Sequence, residues 1–307
     1  MKDLQRTRLK QAFRDYMPLP VTLEPHLRKA LDRVLTNPGS LIRPEIVLNV
    51  GLGYDLPDPA AMDLAIGLEY FHTASLLFDD LPSMDDAVER RGFPCVHVDF
   101  GDSGAILAAL ALVNRGYSLT WRAVAQASRE LQPEALNYVE RHLGIEGLLN
   151  GQSMDLHYPD LPHDSRTTQQ AAIGKTVSLI RLTLVLPALL GGASLHELQL
   201  LERIALFWGL GYQVADDLKD VLQSSAESGK TSSRDFSLGH PNTALDLGLE
   251  AATLRLTRLI DLGDRMLARL LDLRPSLDFL RDLRNQLGDE AQRLTESMRE
   301  QPVGVAA

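Results

Sequence analysis

The chain has 307 residues, of which 45% are hydrophobic and 23% charged, the balance of a globular protein with a sizeable core. That composition excludes a disordered chain, and a formal net charge of −10 (31 Lys+Arg against 41 Asp+Glu) excludes a general nucleic-acid binder. The single cysteine, Cys95, excludes a disulfide framework and a Cys-based zinc site and fits a reducing cytoplasm.

The N-terminus, Met1-Lys2-Asp3-Leu4-Gln5-Arg6, is charged and lacks an apolar stretch, so no signal peptide is expected. Leu and Ala dominate, β-branched alternation is scarce, and apolar residues recur at three- and four-residue spacing. This pattern predicts an all-α fold, a single large domain over residues 1–307 with about ten helices around a deep core and no strand pairs. Pro25 and Pro44 punctuate the first helices. Ala105 to Val113 is the longest purely apolar run, far short of the roughly 20 residues that span a bilayer, so no transmembrane segment is expected. A helix opens at Pro133 and runs to about Leu156, and another starts near Thr167 and stops at Gly191-Gly192. Ser194-Leu195-His196-Glu197 is a capping box that opens a helix ending near Leu222. Ser224 to Asn242 is polar and reads as a long loop. Helix returns over residues 243–300, with a break at Arg274-Pro275, and the last residues from Gln301 fray.

Two acidic clusters carry the chemistry. Asp79-Asp80-Leu81-Pro82-Ser83-Met84-Asp85-Asp86 follows the apolar run Ala74 to Phe78, and Asp216-Asp217-Leu218-Lys219-Asp220 follows Gly209 to Ala215. Each therefore sits near the C-terminal end of a mostly buried helix, where the helix dipole disfavours negative charge. Asp216 and Asp220 are in addition a like-charge i,i+4 pair. Pro82 forces the first helix to bend or end, which can bring Asp79 and Asp85 to one side. Carboxylates gathered where they repel point to a cation, and oxygen-only donors suit Mg²⁺.

Mg²⁺ held by carboxylates on one side takes substrate phosphates on the other, and such a substrate needs fixed positive charge. Arg90-Arg91-Gly92 follows the first cluster, Lys175-Thr176 sits within an apolar helix, Gly229-Lys230 lies beyond the second cluster, and Arg43-Pro44 ends the loop Asn37-Pro38-Gly39-Ser40. As a set they suggest a diphosphate site. Gln152 and Asp155 share one helix, and His72 lies seven residues, roughly two turns, before Asp79.

In these residues the chain resembles the trans (head-to-tail) polyprenyl diphosphate synthases, closest in pattern to geranylgeranyl and farnesyl diphosphate synthases. The resemblance runs from about Pro38 to Asp235 and rests on Glu69 to His97, Gly151 to Leu156, Lys175-Thr176, and Tyr212-Gln213 leading into Asp216 to Asp220. It implies the isoprenoid synthase fold with a central cavity, a homodimer, and three Mg²⁺. It implies Asp79, Asp85 and Asp216 as principal metal ligands, supported by Asp80, Asp217 and Asp220. Arg90, Lys175 and Lys230 would hold the allylic diphosphate, and Arg43, His72 and Arg91 would hold isopentenyl diphosphate. Gln152 joins the substrate-binding residues. Thr176 and Gln213 would line the path of the developing allylic cation, and with Lys175 on the diphosphate they make up the catalytic residues.

Four departures from the family pattern stand out. Ser40 occupies the place of a Lys that contacts isopentenyl diphosphate, a missing contact worth about 1.5–3 kcal/mol. Phe78 replaces a His, Ala109-Leu110 a Gly-Asp pair, and His240 a Lys. The reading is condensation of an allylic diphosphate with isopentenyl diphosphate. Two alternatives remain: a terpene synthase-like enzyme that ionises the allylic diphosphate without condensation, and a non-catalytic subunit of a heteromeric synthase. Small Ala74 and Ser75, one turn before the first cluster, point to a C20 product, geranylgeranyl diphosphate, with Phe71 deeper on the same helix.

Overall fold

The computed structural model describes residues 2–222 and 239–300, and within them the chain is almost wholly helical. The helices are α1 (Lys2–Asp15), α2 (Pro25–Leu35), α3 (Ile42–Gly53), α4 (Asp58–Asp79), α5 (Val96–Gln126), α6 (Gln132–Leu143), α7 (Leu148–Leu156), α8 (Ser165–Ala172), α9 (Ser178–Leu190), α10 (Leu195–Leu222), α11 (Thr243–Leu247), α12 (Leu249–Leu273) and α13 (Leu280–Glu300). A π-helical turn, Ile173–Val177, joins α8 to α9. The contacts group into two compact units. The first holds residues up to Val139 together with Leu182–Ala193, and the second holds Glu140–Arg181 together with Ser194 onward.

Helix α4 is the centre of the first unit. Pro57-Asp58-Pro59 opens it, and every residue from Ala60 to Phe71 is buried, so it has no solvent face over that length. It packs on α3 and α5. Gly67 makes the α4–α5 approach possible, because a Cβ there would lie 2.9 Å from Thr120 Oγ1 and 3.0 Å from the Gly116 carbonyl oxygen. Tyr70 fastens α1 by donating to the Phe13 carbonyl at 2.7 Å, with the two rings edge-on. Buried Asp63 is met by Arg122 of α5, Nε to Oδ2 at 3.0 Å.

The second unit is built on α10 and α12, whose Val214, Leu218, Leu256 and Ile260 form its core with Val177 and Leu294. The expected capping box is present: Ser194 N donates to Glu197 Oε2 at 2.9 Å and Glu197 N to Ser194 Oγ at 3.3 Å. Arg274, at the expected break before Pro275, also donates to Glu197, at 3.0 Å. Trp208 of α10 packs against Gly263 of α12, where a Cβ would stand 2.3 Å from the indole nitrogen.

Two expectations need correction. The helix expected from Pro133 to about Leu156 is two helices: α6 stops at Leu143, residues 144–147 turn, and α7 starts after Gly147, whose φ −125° and ψ −113° are not helical. No strand pair was expected, yet Glu89–Arg90 and Phe93–Pro94 form a minimal antiparallel hairpin. Its turn residues, Arg91 and Gly92, both have positive φ, as a two-residue turn of this hand requires. No transmembrane segment is evident, as expected, although α5 and the run Ser165–Leu190 are by length and composition apolar enough to cross a bilayer. The second of these is mostly buried, as core helices are, and α5 carries Arg115 and Arg122. The expected loop Ser224 to Asn242 lies mostly outside the described residues, as does Lys230.

In the second unit α7 meets the π turn through two glycines. A Cβ on Gly151 would lie 2.1 Å from the Lys175 nitrogen, and one on Gly174 would lie 2.5 Å from Gly151 Cα. Backbone cannot yield as a side chain can. Gly151→Ala should therefore cost about 2–3 kcal/mol, seen as a lower urea midpoint at unchanged slope.

Candidate functional site

The first acidic cluster is shaped by backbone hydrogen bonds. Helix α4 ends at Asp79, and the chain after Pro82 turns back so that Asp85 N donates to the Asp79 carbonyl at 2.9 Å. Asp86 N donates to Leu81 O at 3.0 Å and Ala87 N to Asp80 O at 3.2 Å. The expected bend is thus present and sets Asp85 beside Asp79. Asp80 is buried and held by Arg90, whose Nε lies 2.7 Å from Oδ1. Asp85 Oδ1 is buried without a hydrogen-bond partner.

That orphaned oxygen fits a hard cation. Among the described residues no three His, Cys, Asp or Glu side chains gather into a closed metal cage. Mg²⁺ does not require one, since it is commonly bound through one or two carboxylates plus waters and phosphate oxygens. Asp79 and Asp85 are the residues of this unit that suit it.

Beside the turn lies a cationic cluster. Leu41 takes a left-handed conformation, φ 57°, immediately before α3, which carries Arg43. Arg43 Nη1 donates to His72 Nε2 at 3.0 Å. Burial, and then the charges of Arg43, Arg91 and Arg90, hold the His72 imidazole well below its usual pKa, so it stays neutral and accepts. The Arg91 guanidinium lies over Gly39, where a Cβ would be 2.0 Å from Nη1. Arg43, His72 and Arg91, expected to act together, are therefore brought together. Ser40 is exposed, and Arg28 donates to the carbonyls of Leu19 and Pro20, so it does not stand in for the missing Lys.

Sequence reasoning missed Glu69. It lies on α4 three residues before His72, is 4% exposed, and is raised to about 7 by burial, against which the charges of Arg43 and Arg91 pull downward. Its signal was a glutamate on an otherwise apolar helix stretch, one turn before a histidine.

The second unit places the remaining residues. The π turn carries Lys175 and Thr176, and such turns recur at functional sites. Lys175 Nζ donates to Asp155 of α7. His240, which replaces a family Lys, stands with Nδ1 3.8 Å from the same Asp155 oxygen. Thr176 Oγ1 donates to Gln213 Oε1 at 2.6 Å, and Gln213 Nε2 donates to Asp217 Oδ1 at 2.8 Å. Asp217 Oδ2 also accepts from Thr243 N at 2.8 Å, so this carboxylate anchors the start of α11. Asp216 and Asp220 lie one turn apart along α10, with Asp220 buried. Gln152 is half-buried on α7, and Asp155 is paired with Lys175.

The model of the polyprenyl synthetase family matches residues 24–263. Geranylgeranyl pyrophosphate synthase 10 of Arabidopsis thaliana, a mitochondrial form, is 34% identical over 248 residues, which cover 78% of this chain and 70% of that protein. Geranylgeranyl diphosphate synthase of Pseudescherichia vulneris is 34% identical over 232 residues, 75% of this chain and 74% of that one. The crystal structure of geranyltransferase from Helicobacter pylori, complexed with magnesium and isoprenyl diphosphate, superposes with a TM-score of 0.78 at 25% identity, covering 97% of this chain and 96% of the other.

The Glu69 environment makes a stability prediction whose sign is fixed. A carboxyl raised from 4.5 to about 7 contributes stability that is present below pH 4.5 and is lost as pH rises through 7. Glu69→Gln, which cannot ionise, should thus be more stable than the parent at pH 8 by on the order of 2–3 kcal/mol and no more stable at pH 4.5, read from urea unfolding at both pH values.

Proposed function

The chain belongs to the polyprenyl synthetase family, and from that membership we propose that it condenses an allylic diphosphate with isopentenyl diphosphate to give geranylgeranyl diphosphate. The observation that carries this reading is the paired arrangement Asp79–Asp85 next to the Arg43–His72–Arg91 cluster, an acidic turn and an anion cradle built into one unit. The relatives named as geranylgeranyl diphosphate synthases support the C20 length.

Asp79, Asp85 and Asp216 are the proposed oxygen ligands of three Mg²⁺ ions, with Asp80, Asp217 and Asp220 in support. Bound Mg²⁺ would neutralise the diphosphate leaving group. Arg90, Lys175 and Lys230 add fixed positive charge to the allylic diphosphate. Arg43, Arg91 and the neutral His72 hold the diphosphate of isopentenyl diphosphate, with Gln152 among the substrate contacts. The allylic carbon–oxygen bond breaks with its electron pair on diphosphate. Thr176 Oγ1, turned by its hydrogen bond to Gln213, presents lone pairs to the positive charge that develops. The double bond of isopentenyl diphosphate closes the new carbon–carbon bond, and the departing diphosphate accepts the proton that is lost. Asp155 holds the Lys175 ammonium in place between turns of this cycle.

A homodimer within the cytoplasm is part of the proposal, with residues 1–307 acting as one domain. Support for the dimer comes from α5, where Leu107, Leu110, Tyr117 and Trp121 recur at helical spacing and are 51%, 51%, 48% and 61% exposed. Such an apolar row suits a second copy of the same helix.

Product length should follow from α4. Ala74 is buried one turn and a half before Asp79, and Phe71, deeper on the helix, meets Tyr117 edge-on at 4.7 Å between ring centroids. With Mg²⁺ and farnesyl diphosphate, mass spectrometry should detect geranylgeranyl diphosphate only when isopentenyl diphosphate is added. A hydrocarbon or alcohol formed equally without it would replace condensation by ionisation alone, and no turnover with any allylic length would leave a subunit role. With geranyl diphosphate as starter, Ala74→Phe should shift the main product from C20 to C15, and an unchanged product would remove Ala74 from the floor.

A further inference from the structure

One buried group beside the anion cradle has no part in the chemistry above. Glu69 is 4% exposed and its Oε2 has no hydrogen-bond partner. Arg43 is in a matching state, since Nη1 is bound to His72 while its buried Nε is unpartnered. Glu69 and His72 are three residues apart on α4 and so share a face. A carboxyl in apolar surroundings normally recruits a donor, because an unmet buried oxygen costs about 1–3 kcal/mol. Here both the carboxyl and the guanidinium are left with an unmet atom, which marks a place held open for something else.

We propose that Glu69 is a positioning residue of the Arg43–His72–Arg91 cradle, and that it takes up one proton from solvent as a diphosphate binds there. In the empty cradle an ionised Glu69 balances the two guanidinium groups and competes for their charge. An arriving diphosphate brings several negative charges to the same arginines, and a neighbouring carboxylate then repels it. Protonating Glu69 Oε2 removes that repulsion. The proton comes from buffer, an O–H bond forms, and nothing is oxidised or reduced.

The surrounding charges allow this assignment. On α3 the facing charge is Arg43, and on the hairpin it is Arg91. His72, on α4 itself, is held neutral by burial and by Arg43, Arg91 and Arg90. The other helices on α4 bring their charges elsewhere: from α5, Arg115 acts beside Tyr70 and Arg122 binds Asp63, and from α1, Asp15 acts on Tyr70. The raised value of about 7 leaves Glu69 able to gain a proton near neutrality.

The inference rests on the proposal that this cradle takes isopentenyl diphosphate. Calorimetric titration of isopentenyl diphosphate, without allylic substrate, in buffers of differing ionisation enthalpy counts the protons taken up. At pH 8 the parent should take up close to one proton more than Glu69→Gln, and at pH 5.5 the two should agree. The ratio of the dissociation constant of the parent to that of the variant should rise about tenfold from pH 6 to pH 8. Because the parent alone must lose its uptake between pH 8 and pH 5.5, a poorly folded variant does not rescue the idea. Equal proton counts in a protein that still condenses overturn the role of Glu69 and leave the proposed reaction standing. No binding by either protein at any pH overturns both.

Discussion

A carboxylate taken out of water costs several kcal/mol unless a cation, a metal or strong donors meet it, and the structure of this acidic chain follows from how each one is met. Asp63 takes Arg122, Asp80 takes Arg90, and Asp155 takes Lys175. Asp217 accepts from Gln213 and from the backbone of Thr243. Glu197 is met by Ser194 and Arg274. These groups join elements that are distant in sequence. Within each acidic cluster they single out one aspartate that holds the fold, Asp80 in the first and Asp217 in the second.

The two clusters show this most clearly. Within the Asp79-Asp80 pair, neighbouring side chains leave α4 in different directions, so Asp80 can reach Arg90 while Asp79 is approached by Asp85. Within Asp216-Asp217 the same geometry sends Asp217 to the start of α11. In each adjacent acidic pair one carboxylate, Asp80 or Asp217, is thereby tied into the fold.

Backbone strain is placed with similar economy. Of the non-glycine residues with positive φ, Leu41, Asp86 and Arg91 flank the cationic and acidic groups of the first unit. Each re-aims a neighbouring segment: α3 with Arg43, the return of the chain after Asp85, and the turn that lays Arg91 over Gly39. In the second unit the π turn does the corresponding work for Lys175 and Thr176. Arg91 and Lys175 lie on such irregular segments, whereas Arg43 lies on α3, His72 and Asp79 on α4, and Asp216, Asp217 and Asp220 on α10.

The sequence by itself determined the helical class, the capping box at Ser194, the break at Arg274-Pro275, the end of α4, and the identity of both acidic clusters. These follow from local chemistry: spacing of apolar residues, helix-ending prolines and glycines, and charges crowded within a few residues. Other features were settled only by tertiary structure. Between α6 and α7 the chain turns over residues 144–147 and Gly147 is non-helical, and the hairpin at Arg91-Gly92 needs two residues to adopt positive φ together. Glu69 looks like any helical glutamate until burial raises it, and Asp155 meets Lys175 and His240 across spans of 20 and 85 residues. A sequence shows which groups can ionise, but how strongly they hold their protons and which partner they choose depend on desolvation and proximity, and both arise only when the chain is packed.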